Sequence, residues 1–153
     1  MGYIQRMIKQ KNLPHNINEN LPRLMNAFEQ EMSLDAVILF GSFASGDQKP
    51  LSDIDIAVLM NRGLAPEQIS ETHSRLLGVI TETLTTEEID LVVLNTAPLR
   101  FSYSILKNGA LVFVRNAEHL IDFREQVIKE YLDFSYYLTM FNNAFREGIG
   151  YHG

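Results

Sequence analysis

Apolar and polar positions along this chain change period several times, and each change marks an element. In residues 16–32, Leu21, Leu24, Met25 and Phe28 recur at helical spacing. Asn18 or Asn20 is placed to cap that helix, with Pro22 in its first turn. Val37, Ile38, Leu39 and Phe40 then form a continuous apolar run ended by Gly41, the pattern of a strand covered on both faces. DIDIAVLM, residues 53–60, has the same character. Residues 66–84 return to a helical period, with Pro66 at the start and Ile69, Leu76, Leu77 and Ile80 along one side. EIDLVVLN predicts a third strand, Pro98 opens a short helix that Gly109 closes, and ALVFVR predicts a fourth strand at the sheet edge.

This order predicts an α+β fold of the α/β-sandwich type: a small mixed sheet of about four strands, with helices packed on one face. No repeat, low-complexity tract or linker interrupts the 153 residues, so a single domain is expected over 1–153, with a core of about 18–115.

The last predicted helix, about 117–147, would extend about 45 Å at 1.5 Å per residue, more than a domain of this size covers. Leu120, Phe123, Val127, Tyr131, Phe134, Leu138, Phe141 and Phe145 fall at alternating steps of three and four, a heptad-like seam. Between Tyr131 and Phe145 the one charge is Asp133, and Tyr136, Tyr137 and Met140 lie off the seam. That segment is apolar on more than one side, so something besides solvent is expected to cover it. The alternative is that the helix folds back over the sheet as ordinary core.

Composition narrows the partners. A formal charge of −6 repels a polyphosphate chain unless cations or a local basic patch reverse the field, which argues against free nucleic acid. Cysteine is absent, which removes disulfides, thiolate zinc sites and cysteine nucleophiles and suits a reducing compartment. The four histidines, His15, His73, His119 and His152, show no paired spacing and read as surface or packing residues. No apolar run approaches the ~20 residues of a membrane span, so no membrane is expected and the location is read as cytoplasmic.

The chemistry concentrates in GSFASGDQKPLSDIDIAV, which begins at Gly41. In a strand, residues two apart share a side, so Asp53 and Asp55 project together and repel. A divalent cation resolves that conflict, and Mg²⁺ in particular takes one or two carboxylates shared with substrate phosphates. Gly41 can turn tightly at the end of its strand, and Ser42 opens a segment whose N–H groups would hold phosphate. A third carboxylate is expected from a strand paired beside the second. Asp90 is favoured there, with Glu87 and Glu88 as the competing choices.

The arrangement of Gly41-Ser42, ten residues, Asp53-Ile54-Asp55, and an Asp-led strand after a helix resembles the polymerase-β-like nucleotidyltransferase superfamily. Within it, the chain looks most like the minimal nucleotidyltransferases that act as antitoxins to HEPN-domain toxins. The resemblance implies that Gly41 and Ser42 hold nucleotide phosphates, that Asp53 and Asp55 ligate two Mg²⁺ ions, and that Asp90 completes one of those sites. It further implies that ATP is the substrate and that AMP passes to a tyrosine of a cognate HEPN ribonuclease toxin, which is thereby silenced. Ser45 departs from the pattern, since many minimal members carry arginine there.

The residues independently point to an acceptor from outside. One helix follows the last strand and about 20 residues precede the first core helix, so no second domain for a drug, sugar or RNA is expected. A protein docked along residues 131–145 and presenting its own hydroxyl accounts for both features, as a hetero-oligomer. Two other readings share the motifs: a small-molecule nucleotidyltransferase of the aminoglycoside type, and a non-catalytic antitoxin that acts by occlusion.

Overall fold

The computed structural model describes residues 15–41 and 54–148. Helix α1 spans His15–Gln30 and strand β1 Leu34–Phe40; β2 spans Ile54–Met60, α2 Pro66–Leu84 and β3 Ile89–Val93. A 3₁₀ turn at Leu94–Thr96 leads to α3, Leu99–Asn108, then β4, Ala110–Val114, and α4, Ala117–Gly148. The sheet order is β3-β2-β1-β4, with β1 antiparallel to both neighbours and β2 parallel to β3. The mixed four-stranded sheet is therefore the expected one, with β4 at an edge.

The helices do not share one face, and here the expectation is corrected. Val37 and Leu39 of β1 pack with Ile17, Leu24 and Phe28 of α1 and with Leu76, Ile80 and Leu84 of α2. Ile38 and Phe40, on the other side of the same strand, pack with Ile105 of α3 and with Leu120 and Phe123 of α4. Side-chain alternation makes these opposite faces. A central strand buried throughout, as β1 is, requires cover on both.

Two boundaries also differ from expectation. The core stripe of α1 runs back to Ile17, so the helix starts at His15 and Asn18 and Asn20 fall inside it rather than capping it. Asn95 leaves the third strand for the 3₁₀ turn, where its side chain receives the Met60 N–H at 2.8 Å and donates to the Met60 carbonyl at 2.9 Å. It thereby completes the β2 ladder as a further strand residue would. Limits with local punctuation hold, and the rest shift by a residue or two. Pro66 opens α2, and Gly109 ends α3 where an added Cβ would meet Ile38 Cγ2 at 2.4 Å.

Polar contacts tie the helices to the sheet. Arg75 of α2 makes a two-pronged contact with Glu31 beyond α1, at 2.6 and 2.9 Å, and this hydrogen bonding holds the Glu31 carboxyl below its usual range. Arg115, after β4, donates to Phe28 O and Leu34 O, both at 3.0 Å, satisfying carbonyls around the end of α1. At the root of α4, His119 Nδ1 lies 2.6 Å from Asp35 Oδ2, both groups buried, and Asn61 Nδ2 donates to the other Asp35 oxygen at 2.7 Å. Removing the imidazole takes a hydrogen-bond partner from the buried Asp35, so His119→Ala is expected to cost about 3 kcal/mol in urea unfolding. A loss under about 1 kcal/mol would show that apolar contacts alone seat α4.

The seam of α4 serves two environments. Val127 is buried, and Leu120, Phe123 and Tyr131 are half-buried against α3 and the sheet. Phe134, Leu138, Phe141 and Phe145 continue the same stripe at 42%, 37%, 66% and 59% exposure. Folding back over the sheet thus accounts for the helix up to Tyr131 and no further. Among the described residues, no helix is long and apolar enough to cross a membrane.

Candidate functional site

Three strand ends meet at one edge of the sheet: β1 finishes at Phe40 where β2 and β3 begin. The antiparallel β1–β2 register sets Phe40 opposite Asp55, and the parallel β2–β3 register sets Asp55 beside Asp90. In-register neighbours on adjacent strands point the same way. Ala57 and Leu59 of β2 pack toward α3 and α4, so Asp55 and Asp90 share that face with Phe40. Their backbones are about 4.8 Å apart, the ordinary strand spacing. Asp55 is half-buried and Asp90 exposed. Glu87 and Glu88 precede β3, and Glu88 joins the edge through its backbone, accepting the Ile54 N–H at 2.9 Å.

Gly41 packs against this pair. Its φ of +77° lies in the left-handed region, and a Cβ there would stand 2.0 Å from Asp55 Oδ2. The carboxylate occupies the volume any side chain at 41 would take, so the turn must be glycine for two independent reasons. Ser42 and Asp53, the other two residues expected at this site, lie outside the described residues.

Two carboxylates at this spacing repel by roughly 1 kcal/mol in water and roughly 3 kcal/mol at an effective dielectric constant near 20. A half-buried Asp55 lies between those limits. The cost is small enough for the sheet to carry and large enough to favour a cation. The donors are hard oxygens on neighbouring strands, which fits Mg²⁺ better than a softer metal. Among the described residues, no group of three metal-ligating side chains is assembled, and Asp53, the third expected ligand, is not among them.

A further residue borders the site that the apolar pattern did not single out. Phe101 of α3 meets the Phe40 ring edge-on, with centroids 5.6 Å apart at 83°. In the sequence it is one more apolar position on a helix, and only the crossing of α3 over β1 brings it to this edge.

The family model described as polymerase beta, nucleotidyltransferase matches residues 23–118, which include every residue named at this edge. No curated protein matches. Among solved structures, a chain of a toxin–antitoxin crystal structure with AMP-PNP is 23% identical, at TM-score 0.57, over 89% of this chain and 95% of that one. A chain from the tri-AMPylated Shewanella oneidensis HEPN toxin in complex with MNT antitoxin is 22% identical, at TM-score 0.55, over 86% and 93%. The toxin–antitoxin structure MntA-HepT contributes a chain 23% identical, at TM-score 0.51, over 88% and 92%. At these identities the likeness speaks for the fold.

Proposed function

The chain belongs to the polymerase beta nucleotidyltransferase family, and from that premise we propose that it is an antitoxin that transfers AMP from ATP to a tyrosine hydroxyl of a cognate HEPN toxin. The observation that carries the reading is the in-register pairing of Asp55 and Asp90 beside a turn that only glycine fits. The structural neighbours described as toxin–antitoxin complexes, one with AMP-PNP and one with an AMPylated HEPN toxin, support the choice of donor and partner.

In this reading Asp53, Asp55 and Asp90 hold two Mg²⁺ ions, with Gly41 and Ser42 at the phosphates. Bound Mg²⁺ supplies charge neutralisation of the triphosphate and a lower pKa for the acceptor hydroxyl. Asp90, exposed at the rim, orients the incoming hydroxyl and receives its proton, which then passes to solvent. The acceptor oxygen attacks the α-phosphorus in line. A new P–O bond forms, the bond to the bridging oxygen breaks, and pyrophosphate departs with that electron pair. The toxin reaches this edge while docked on the distal part of α4, from Tyr131 to Phe145, whose apolar side chains beyond Tyr131 are exposed.

The test is intact mass spectrometry of the HEPN protein after incubation with this chain, ATP and Mg²⁺. Mass is expected to rise by whole AMP units. An unmodified toxin that is nevertheless silenced would favour occlusion, and transfer to an aminoglycoside instead would favour the small-molecule reading.

A further inference from the structure

Phe101 is 38% exposed, and outside α4 it is the one exposed aromatic ring among the described residues. Its position is firmly set. One edge rests on Phe40, itself 8% exposed and directly opposite Asp55 in the β1–β2 register. On the far side of α3, Tyr103 stacks on Tyr131 of α4, with ring centroids 3.8 Å apart and planes within 7°. Arg100, the neighbouring cation, is drawn away to α4, where its guanidinium lies 5.2 Å from the Phe134 ring. The ring is therefore held by its helix on both sides and left uncovered by its neighbour.

The location adds to this. Asp55, Asp90 and Phe40 share the α3–α4 face of the sheet, so Phe101 stands one ring removed from the carboxylate pair, on the same face. A nucleotide whose phosphates lie at those carboxylates must extend its nucleoside along a wall of the site. Planar aromatic surface is the chemistry that receives a base without hydrogen-bond readout. We propose that Phe101 is the stacking platform for the base of the donor nucleotide. This rests on the nucleotidyl-transfer reading and adds to it the residue that distinguishes a nucleotide from a bare polyphosphate.

The experiment compares calorimetric binding of ATP and of inorganic tripolyphosphate, each with Mg²⁺, by the full chain and its Phe101→Ala, Phe101→Leu and Phe101→Tyr variants. Leucine keeps apolar bulk against Phe40 but removes the ring; tyrosine keeps the ring. Removing one base–aromatic stack should weaken ATP binding about 5- to 150-fold in the alanine and leucine variants. Tripolyphosphate binding should stay unchanged, and tyrosine should restore ATP affinity to within about twofold of the parent chain. Equal losses for both probes would reduce Phe101 to a packing residue and overturn the proposal. Unchanged ATP affinity, with a raised KM for the toxin, would also overturn it by assigning the ring to the acceptor. Failure of the unaltered chain to bind ATP would bring down the transfer reading itself, an outcome distinct from either of these.

Discussion

Asp55→Ala is expected to reduce AMP transfer at least a few hundredfold while the chain stays folded, and Gly41→Ala is expected to do nearly the same without touching a carboxylate. Loss of one preorganised electrostatic group at a reacting centre costs roughly a hundred- to a thousandfold. Asp55 is half-buried at a strand end, so its removal opens no deep cavity. Alanine at 41 acts through geometry. Its Cβ falls on Asp55 Oδ2, which must swing out of line with Asp90, and the left-handed backbone adds about 1–2 kcal/mol of strain. The double variant separates the two effects. With the carboxylate gone only a close approach to the Cβ at 55 remains, so adding Gly41→Ala to Asp55→Ala should cost little beyond the backbone strain, less than it costs the parent chain. Urea unfolding of the four proteins measures that coupling, and transfer from α-labelled ATP measures the activities. Additive stability changes would mean that Gly41 and Asp55 do not press on one another. Unaltered transfer by Asp55→Ala would end the assignment of the carboxylates.

Much of the scaffold behind that prediction was legible in the sequence, for identifiable reasons. Helices opened by Pro66 and Pro98 and closed at Gly109 end where they should, because proline and a crowded glycine act on the local backbone whatever surrounds them. The parallel pairing that brings Asp90 to Asp55 was accessible because a helix separates two short apolar runs, each led by aspartate. Layering was not accessible. Whether a helix covers the upper or lower face of a sheet depends on where its connections cross, and hydrophobic period carries no sign for that. The buried Asp35 was equally hidden, since a charged residue at the start of LDAVILF reads as a solvated strand end until His119, 84 residues away, is brought against it. Phe101 belongs to the same class: the period placed it on a helix, and only tertiary structure places it at the site.

Deleting the chain after Tyr131 is expected to abolish stable association with the HEPN partner while leaving ATP binding intact. The residues removed contribute little to the fold. Leu132, Phe134, Tyr136, Tyr137, Leu138, Met140, Phe141 and Phe145 are all exposed, and the core is complete without them. Thermal unfolding of the shortened chain should therefore stay close to that of the parent, apart from the loss of Arg100 over Phe134. Binding should respond very differently. At 100° per residue those eight side chains spread over an arc of about 240° around the helix, interrupted by Asp133 and Asn143, and leave a polar strip of Ser135, Thr139, Asn142 and Arg146. An ordinary docking face needs only about 100°. On the proposed docking, a helix apolar over so wide an arc would be gripped from two sides rather than laid as a stripe on a flat surface. Losing even two anchors of the usual weight, about 2 kcal/mol each, would weaken the complex about a thousandfold. Sedimentation of the parent chain alone and with the toxin identifies the occupant. A monomer that becomes a complex only with the toxin supports the docking assignment, whereas a stable self-associated form through the same helix would give this surface to a second copy of the chain. Unchanged toxin affinity after truncation would place the partner interface elsewhere on the sheet and helices.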